Sequence, residues 1–210
     1  MKKDLIVFIA HIDDFECSCY GYVFKHHKEY NRIKIITATT WDKKLPIWED
    51  NLLLFPKDIL NKIYNINLGF SQRQLHTKFD EIKDRFYKLM DFNSRFDILT
   101  HDENDCHTDH TALFTIAKGM YKYCNRFTTM YSPSSAHFNP NYFIGLDDDT
   151  YNLKKTTLDK YDINNEQSYT KLGYYLQSEE HYNIGRAHVL ENYVFDDYPY
   201  YEIYKIQKWL

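Results

Sequence analysis

Hydrophobic residues occur in short continuous runs along the first two thirds of the chain. Residues 5–10 (LIVFIA) form such a run and are rich in strand-forming side chains. An apolar run without alternation is typical of a strand that is buried on both faces. Similar runs predict four further strands, at residues 33–40, 65–70, 96–100 and 127–131.

Segments with a helical repeat lie between the predicted strands. In residues 78–92, apolar side chains such as Phe79, Ile82 and Phe86 recur at the spacing of one helix face. Comparable patterns predict helices at residues 15–30, 111–123, 153–161 and 174–186. After residue 131 the pattern loosens, and no further strand is predicted there.

Strands that alternate with helices predict the α/β class. The expected architecture is Rossmann-like, a mostly parallel sheet with helices on both faces. In the common strand order 3-2-1-4-5, the first and fourth strands lie side by side at the point where ligands bind.

The length and charge of the chain narrow the classes of protein to consider. Its 210 residues, of which 43% are hydrophobic, suit a single domain spanning residues 1–210. The formal net charge is −4 and the basic residues are scattered. We therefore expect a small-molecule substrate and no nucleic-acid partner. The oligomeric state stays open.

The sequence has no apolar stretch of the roughly 20 residues that a membrane helix needs. The apolar run at residues 5–10 is too short for a signal peptide, so we expect a cytoplasmic protein without a membrane span. Four cysteines, none of them in a CxxC pair, argue against both a disulfide framework and a zinc knuckle.

Two clusters of histidine and aspartate follow predicted strands. The segment AHIDDFE (residues 10–16) comes directly after the first strand, and HTDH (residues 107–110) comes shortly after the fourth. The carboxyl ends of parallel strands form the ligand-binding edge of an open α/β sheet. The sequence therefore predicts that both clusters face one crevice.

These residue types suit a catalytic metal. His11, Asp14 and His110 supply two imidazoles and one carboxylate, and three protein ligands with an open position are typical of catalytic zinc. Zinc lowers the pKa of a bound water to about 7. Asp13 is a candidate for accepting the proton of that water, although charge alone does not decide which of the adjacent aspartates binds the metal.

The second cluster holds further candidates for the chemistry. His107 could polarise a substrate carbonyl, stabilise the oxyanion or protonate a leaving amine, and Asp109 could orient His107. Structural interpretations exist for each motif: either adjacent aspartate could cap the following helix, and HxxH could belong to a surface loop. The coincidence of two such clusters at strand ends favours the metal site.

The two motifs resemble the signatures of the LmbE-like (PIG-L type) family of zinc-dependent N-deacetylases. The first family signature is written (P/A)HPDDxE, and the chain matches it at His11, Asp13, Asp14 and Glu16. The second is HxDH, which matches residues 107–110. Weaker similarity lies at residues 104–105, 138–143 and 154–155. Where the family usually has proline, this chain has isoleucine at position 12.

The resemblance implies a fold, a cofactor and a substrate class. It implies one Zn²⁺ ion bound by His11, Asp14 and His110, with Asp13 as the general base. It implies that His107 acts on the oxyanion or the leaving group. The substrates of the family include chitin-type sugars, glucosamine-containing lipids and glycopeptide precursors, so the expected partner is an N-acetylated sugar such as N-acetylglucosamine or a glycoconjugate.

Other functions are compatible with parts of this pattern. Two histidines and a carboxylate also describe the metal site of non-haem iron oxygenases, although the spare acid Asp13 argues against that class. A catalytically silent sugar-binding module would have no need of Asp13, and a metal-dependent phosphoesterase would need a second metal cluster that is not evident. Arg73, in the loop before the long helix, is a candidate for binding a substrate hydroxyl or phosphate.

Overall fold

The computed structural model describes residues 3–40, 44–162, 198 and 200–209, and the helix predicted at residues 174–186 lies outside these ranges. The described strands are β1 (Lys3–Ile9), β2 (Tyr30–Thr39), β3 (Ile63–Phe70), β4 (Phe96–Thr100), β5 (Arg126–Met130), β6 (Tyr142–Leu146) and β7 (Tyr200–Trp209). The described α-helices are α1 (Asp14–Ser18), α2 (Tyr20–His26), α3 (Leu45–Leu52), α4 (Lys57–Leu60), α5 (Phe79–Lys88), α6 (Thr108–Lys118) and α7 (Asp148–Asp159).

The strands form one mixed sheet in the order β3-β2-β1-β4-β5-β7-β6. The first five strands are parallel, so the predicted order 3-2-1-4-5 and the predicted α/β class are confirmed. Strand β1 pairs with β4 through Phe8 and Thr100 near their carboxyl ends. As a result, the segments that follow these two strands leave the sheet side by side.

Helices cover both faces of the sheet, and β1 shows how its sequence meets that requirement. Leu5, Val7 and Ile9 pack in one hydrophobic cluster with side chains from α1, α2 and α3. Ile6 and Phe8 point to the opposite face and pack with side chains from α5 and α6. Because successive side chains of a strand alternate between faces, a sheet covered on both sides needs the continuous apolar run seen at residues 5–10. No helix among the described residues has the length and apolarity to cross a membrane.

Strands β6 and β7 were not predicted from the sequence. Strand β7 lies between β5 and β6 and pairs antiparallel with both. Its sequence, YYEIYKIQKW, interrupts the apolar residues with charged ones, and Glu202 among these is almost fully buried. A buried glutamate contradicts the hydrophobic pattern, and only its partners in the folded protein explain it.

Glu202 also explains why the helix predicted at residues 15–30 is divided. Its carboxylate accepts hydrogen bonds from the backbone N–H groups of Gly21 (2.7 Å) and Tyr22 (3.2 Å), in the first turn of α2. An anion at this position stabilises the start of a helix. The side chain of Lys154, fully buried on α7, forms an ion pair with the same carboxylate and donates to the backbone carbonyl of Cys17 (2.8 Å). A single helix through this region would lose that capping arrangement.

The Lys154–Glu202 pair generates a stability prediction. Lys154→Met keeps the side-chain length but leaves a buried carboxylate without its cation. We expect the free energy of unfolding to fall by about 3 to 5 kcal/mol, the usual cost of removing one partner of a buried ion pair. Lys88→Met on the exposed side of α5 is the control, and it should change stability by less than about 0.5 kcal/mol. Urea unfolding followed by circular dichroism measures both, and equal stabilities for the two variants would contradict the prediction.

Candidate metal centre

The carboxyl ends of β1 and β4 bring the two predicted motifs together. His11 follows β1, Asp14 begins α1, and His110 lies in the first turn of α6. The backbone N–H of His11 donates to Asp14 Oδ2 (2.7 Å), which fixes this carboxylate beside the imidazole of His11. His110, 99 residues further along the chain, completes the group.

The distances between these three side chains suit one zinc ion. Asp14 Oδ2 lies 3.4 Å from His11 Nδ1 and 3.5 Å from His110 Nε2, and the two nitrogens are 3.3 Å apart. A tetrahedral zinc ion with bond lengths of about 2.0–2.1 Å separates its ligand atoms by about 3.3–3.4 Å. The three donor atoms therefore already have the spacing of one face of a zinc coordination tetrahedron.

Each of the two imidazoles contacts a carboxylate through its other ring nitrogen. His11 Nε2 is 3.4 Å from Asp109 Oδ2, and His110 Nδ1 is 2.9 Å from Asp105 Oδ2. Histidines that bind metals commonly donate their second N–H to a carboxylate, which fixes the tautomer and the ring orientation. Both carboxylates are fully buried. The arrangement leaves His11 Nδ1 and His110 Nε2 facing Asp14 Oδ2.

Asp105 connects several parts of the site through hydrogen bonds. Its carboxylate accepts hydrogen bonds from the hydroxyls of Ser132 (2.5 Å) and Ser134 (2.6 Å), which follow β5, and from the backbone N–H of His107 (2.8 Å). The sequence pattern alone assigns Asp105 no role. The weak similarity at residues 104–105 was the only available signal, because its serine partners are distant in sequence.

Asp109 contacts the loop before α5 rather than the side chain of His107. Its carboxylate accepts from the backbone N–H groups of Arg73 (2.6 Å) and Leu75 (3.1 Å). The contact to His107 comes from the backbone N–H of Asp109, which donates to His107 Nδ1 (3.2 Å). The Asp109 carboxylate was expected to orient His107, but the contact found between these two residues comes from the Asp109 backbone N–H. Since Nδ1 accepts, the neutral ring of His107 carries its proton on Nε2.

Arg73 lies at the rim of this site in an unusual backbone conformation. Its φ angle is +59°, in the left-handed region that non-glycine residues seldom adopt. The hydrogen bond from its N–H to buried Asp109 holds the backbone there, and the side chain is exposed to solvent. Strained backbone at the edge of a site is a common feature of ligand-binding loops.

Two further residues belong to the site. His101, which directly follows β4, is fully buried and accepts a hydrogen bond from the Ala10 N–H (3.0 Å). Its ring stacks on His110 with centroids 3.8 Å apart, and burial together with His110 lowers the pKa of His101 to about 4. Lys44, to which the sequence pattern assigns no role, lies with its Nζ 2.5 Å from Asp13 Oδ2.

The carboxylates around the site favour positive charge on the imidazoles of His11 and His110. Burial lowers the pKa of His11, but attraction to Asp14 and a hydrogen bond with Asp109 outweigh it and raise this pKa to about 10. The same balance, with Asp14 and Asp105, raises the pKa of His110 to about 9. Burial disfavours the ionised Asp14, yet the surrounding histidines hold its pKa well below the usual range. Burial and the neighbouring histidines lower the pKa of His107.

These pKa values predict that metal binding displaces protons. The raised pKa values favour the protonated form of His11 and His110 in metal-free protein at pH 7, and a protonated ring must lose a proton before its nitrogen can bind zinc. We expect the release of about one to two protons per zinc ion, so that zinc affinity rises by about 10- to 100-fold per pH unit between pH 6 and 8. Calorimetric titration in buffers of different ionisation enthalpy measures the release. Zinc binding to Asp105→Asn should release fewer protons, whereas a release near zero in the unmodified protein would contradict the prediction.

Comparison with known proteins gives the same fold. No family model and no curated protein sequence matches the chain. Among solved structures, a conserved protein from Thermus thermophilus (TT1542) superposes with a TM-score of 0.70 at 18% identity, covering 97% of this chain and 94% of that one. The N,N'-diacetylchitobiose deacetylase of Pyrococcus horikoshii superposes with a TM-score of 0.68 at 13% identity, covering 98% and 84%.

A third structure shows that this fold serves more than one reaction. The 4-carboxy-2-hydroxymuconate hydratase GalB of Pseudomonas putida superposes with a TM-score of 0.64 at 13% identity, covering 98% of this chain and 96% of that one. The fold that the sequence resemblance implied is therefore confirmed. Since a shared fold does not determine a reaction, the assignment of function depends on the site.

Proposed function

We propose that this chain, which has the fold of LmbE-like deacetylases, is a zinc-dependent hydrolase that removes an N-acetyl group from an acetamido sugar or a related small molecule. The observation that carries the proposal is the spacing of His11 Nδ1, Asp14 Oδ2 and His110 Nε2, whose separations of 3.3 to 3.5 Å suit one zinc ion. A structure that shares this fold belongs to a deacetylase of a small N-acetylated sugar, which supports the same substrate class.

The zinc ion, when bound, supplies positive charge that acidifies a water and polarises a substrate carbonyl. Asp13 takes a proton from the water, and the water oxygen forms a bond to the carbonyl carbon of the acetamide. Asp13 and Asp14 begin the first turn of α1, where successive side chains diverge by about 100°. This divergence lets one carboxylate bind metal while the other faces the attacking water.

The second motif acts on the carbonyl oxygen of the substrate. His107 is half-buried and carries its proton on Nε2, so it can donate a hydrogen bond to the carbonyl oxygen as negative charge develops there. When the C–N bond breaks, the amine nitrogen takes up the proton that Asp13 accepted, and acetate is released. The exposed guanidinium of Arg73, on the strained loop beside the site, is the candidate contact for a substrate hydroxyl or phosphate.

Acetate release tests the proposed reaction. Incubation of zinc-loaded protein with N-acetyl sugars, their nucleotide derivatives and glycosides should release acetate and a primary amine in equal amounts from at least one class. Elemental analysis should find close to one zinc per chain, and a chelator should abolish the activity. Full activity in metal-free protein would refute the proposal. Release of acetate without formation of a primary amine would also refute it.

The adjacent aspartates give the sharpest mutational prediction. Asp13→Asn removes a proton acceptor but no ligand, so zinc should stay bound while turnover falls by about 10²- to 10⁴-fold. Asp14→Asn replaces an anionic ligand with a neutral one, so zinc affinity should fall first and activity should recover partly at high zinc. Zinc titration and acetate release on both variants distinguish the roles. Loss of metal from Asp13→Asn with retention by Asp14→Asn would reverse the assignment.

A further inference from the structure

The loop between β3 and α5 holds an arginine in a backbone conformation that arginine seldom adopts. Arg73 has a φ angle of +59°, and among the described residues His137 is the only other non-glycine residue with a positive φ angle. Glycine adopts this conformation without strain, whereas a Cβ atom makes it unfavourable. The presence of a side chain at this position therefore points to a use for that side chain.

Asp109 anchors this strained backbone to the metal centre. Its Oδ2 accepts from the Arg73 N–H (2.6 Å) and lies 3.4 Å from His11 Nε2. Its Oδ1 accepts from the N–H of Leu75 (3.1 Å), whose side chain is fully buried. One carboxylate oxygen therefore separates the backbone of Arg73 from the imidazole of His11. The long side chain of arginine starts within reach of a small molecule that is held at the metal centre.

The guanidinium of Arg73 has no partner in the part of the chain that the structure describes, and it is exposed to solvent. The nearby carboxylate of Asp109 contacts backbone N–H groups and His11 instead. Arg85, on the following helix α5, shows the usual alternative, since it pairs with Glu81 (2.8 Å). A guanidinium is always charged, and its planar fork of N–H groups matches the oxygens of a phosphate. Arg73 is therefore available to an anionic group of a ligand.

The neighbours of Arg73 indicate which kind of ligand group needs it. Gln72 and Gln74 flank it and supply neutral amide donors. Such donors suffice for a substrate hydroxyl, so a neutral ligand gives no reason for a cation at the strained position. A phosphate does give a reason, because a charge-assisted hydrogen bond is about twice as strong as a neutral one and two of them form in parallel.

We propose that Arg73 is a specificity-determining residue that binds a phosphate group of the substrate. The preferred substrate is then a phosphorylated amino sugar, either a simple sugar phosphate or a nucleotide sugar. Asp109 is the positioning residue that fixes the backbone from which the guanidinium extends. This inference rests on the proposed function for the acetamido group, but recognition of the phosphate does not require that the reaction is deacetylation.

Calorimetric binding to the zinc-loaded protein tests the inference without an activity assay. The probes are glucosamine 1-phosphate, glucosamine 6-phosphate and UDP-glucosamine, with methyl glucosaminide as the neutral probe. They already lack the acetyl group, so a deacetylase cannot consume them. Comparison of the two sugar phosphates with UDP-glucosamine distinguishes a simple sugar phosphate from a nucleotide sugar.

Four variants separate the guanidinium from the backbone. Arg73→Ala removes the guanidinium and keeps the Cβ atom, and Arg73→Gly removes the guanidinium and the backbone strain together. Arg73→Lys keeps the charge without the planar fork. Lys78→Ala is the control, since it removes the same charge from an exposed side chain five residues further along the chain.

In the unmodified protein we expect at least one phosphorylated probe to bind about 10-fold or more tighter than methyl glucosaminide. Arg73→Ala and Arg73→Gly should weaken that probe by about 10- to 100-fold, the scale of a hydrogen bond to a charged group. Arg73→Lys should lose less, because it keeps the charge. Lys78→Ala should change the affinity by less than about 2-fold, since salt screens an exposed charge at a distance. Binding of the neutral probe should be the same in all variants.

Three outcomes would overturn the inference. The first is equal affinity of the unmodified protein for the phosphorylated and neutral probes. The second is a preference for phosphate that survives in Arg73→Ala and Arg73→Gly, which would assign the phosphate to the metal. The third is a loss in Arg73→Ala that Arg73→Gly restores or Lys78→Ala matches, which would assign the effect to the backbone or to general electrostatics. Should Arg73→Ala fail to fold, the unstrained Arg73→Gly still decides.

The reaction and the inference fail in different ways. Absence of acetate release from every acetylated probe, with the preference for phosphate and its loss in Arg73→Gly intact, would count against the proposed reaction alone. Acetate release from neutral acetamido sugars as efficient as from their phosphorylated forms would count against the inference alone.

Discussion

The parallel pairing of β1 with β4 is the interaction on which the site depends. It joins Leu5 to Asp97 and Phe8 to Thr100 across two strands that lie far apart in sequence. Because both strands run in the same direction, the segments that follow them emerge at one edge, and His11 and His110 come within 3.3 Å. All the other contacts of the site refine this juxtaposition. Asp105 and Asp109 orient rings that the two strands have already brought together.

Charge compensation is the second organising constraint. Burial of carboxylates is costly, and in this protein the buried acids around α1 and α2 have cationic or hydrogen-bonding partners from distant elements. Asp13 forms an ion pair with Lys44. Glu202 forms an ion pair with Lys154 and accepts a hydrogen bond from the start of α2. Glu16 differs from these acids. One of its oxygens has no partner among the described residues, and burial raises the pKa of Glu16 to about 8. A neutral Glu16 satisfies the same constraint by carrying a proton instead of a counter-ion.

Elements whose determinants are local in sequence could be predicted, and residues whose roles depend on distant partners could not. Apolar runs such as residues 5–10 identified the inner parallel strands, because burial on both faces requires that pattern. The edge strand β3 is largely exposed. The histidine and aspartate motifs identified the residues that the fold then placed together. Lys44 and Asp105 were missed because their roles come from partners about 30 residues away in sequence, at the ends of other strands. Strand β7 was missed because its buried Glu202 becomes acceptable only beside Lys154.

The position of β7 has a consequence for biogenesis. It follows β5 and β6 in sequence but lies between them in the sheet, so neither can complete its backbone pairing before β7 arrives. A ribosome-bound chain that has already formed the parallel half of the sheet would therefore present an open edge on β5, together with a detached β6. Unpaired edges of this kind are where partly folded chains associate with one another. Chaperone dependence during synthesis would then originate at this edge of the sheet.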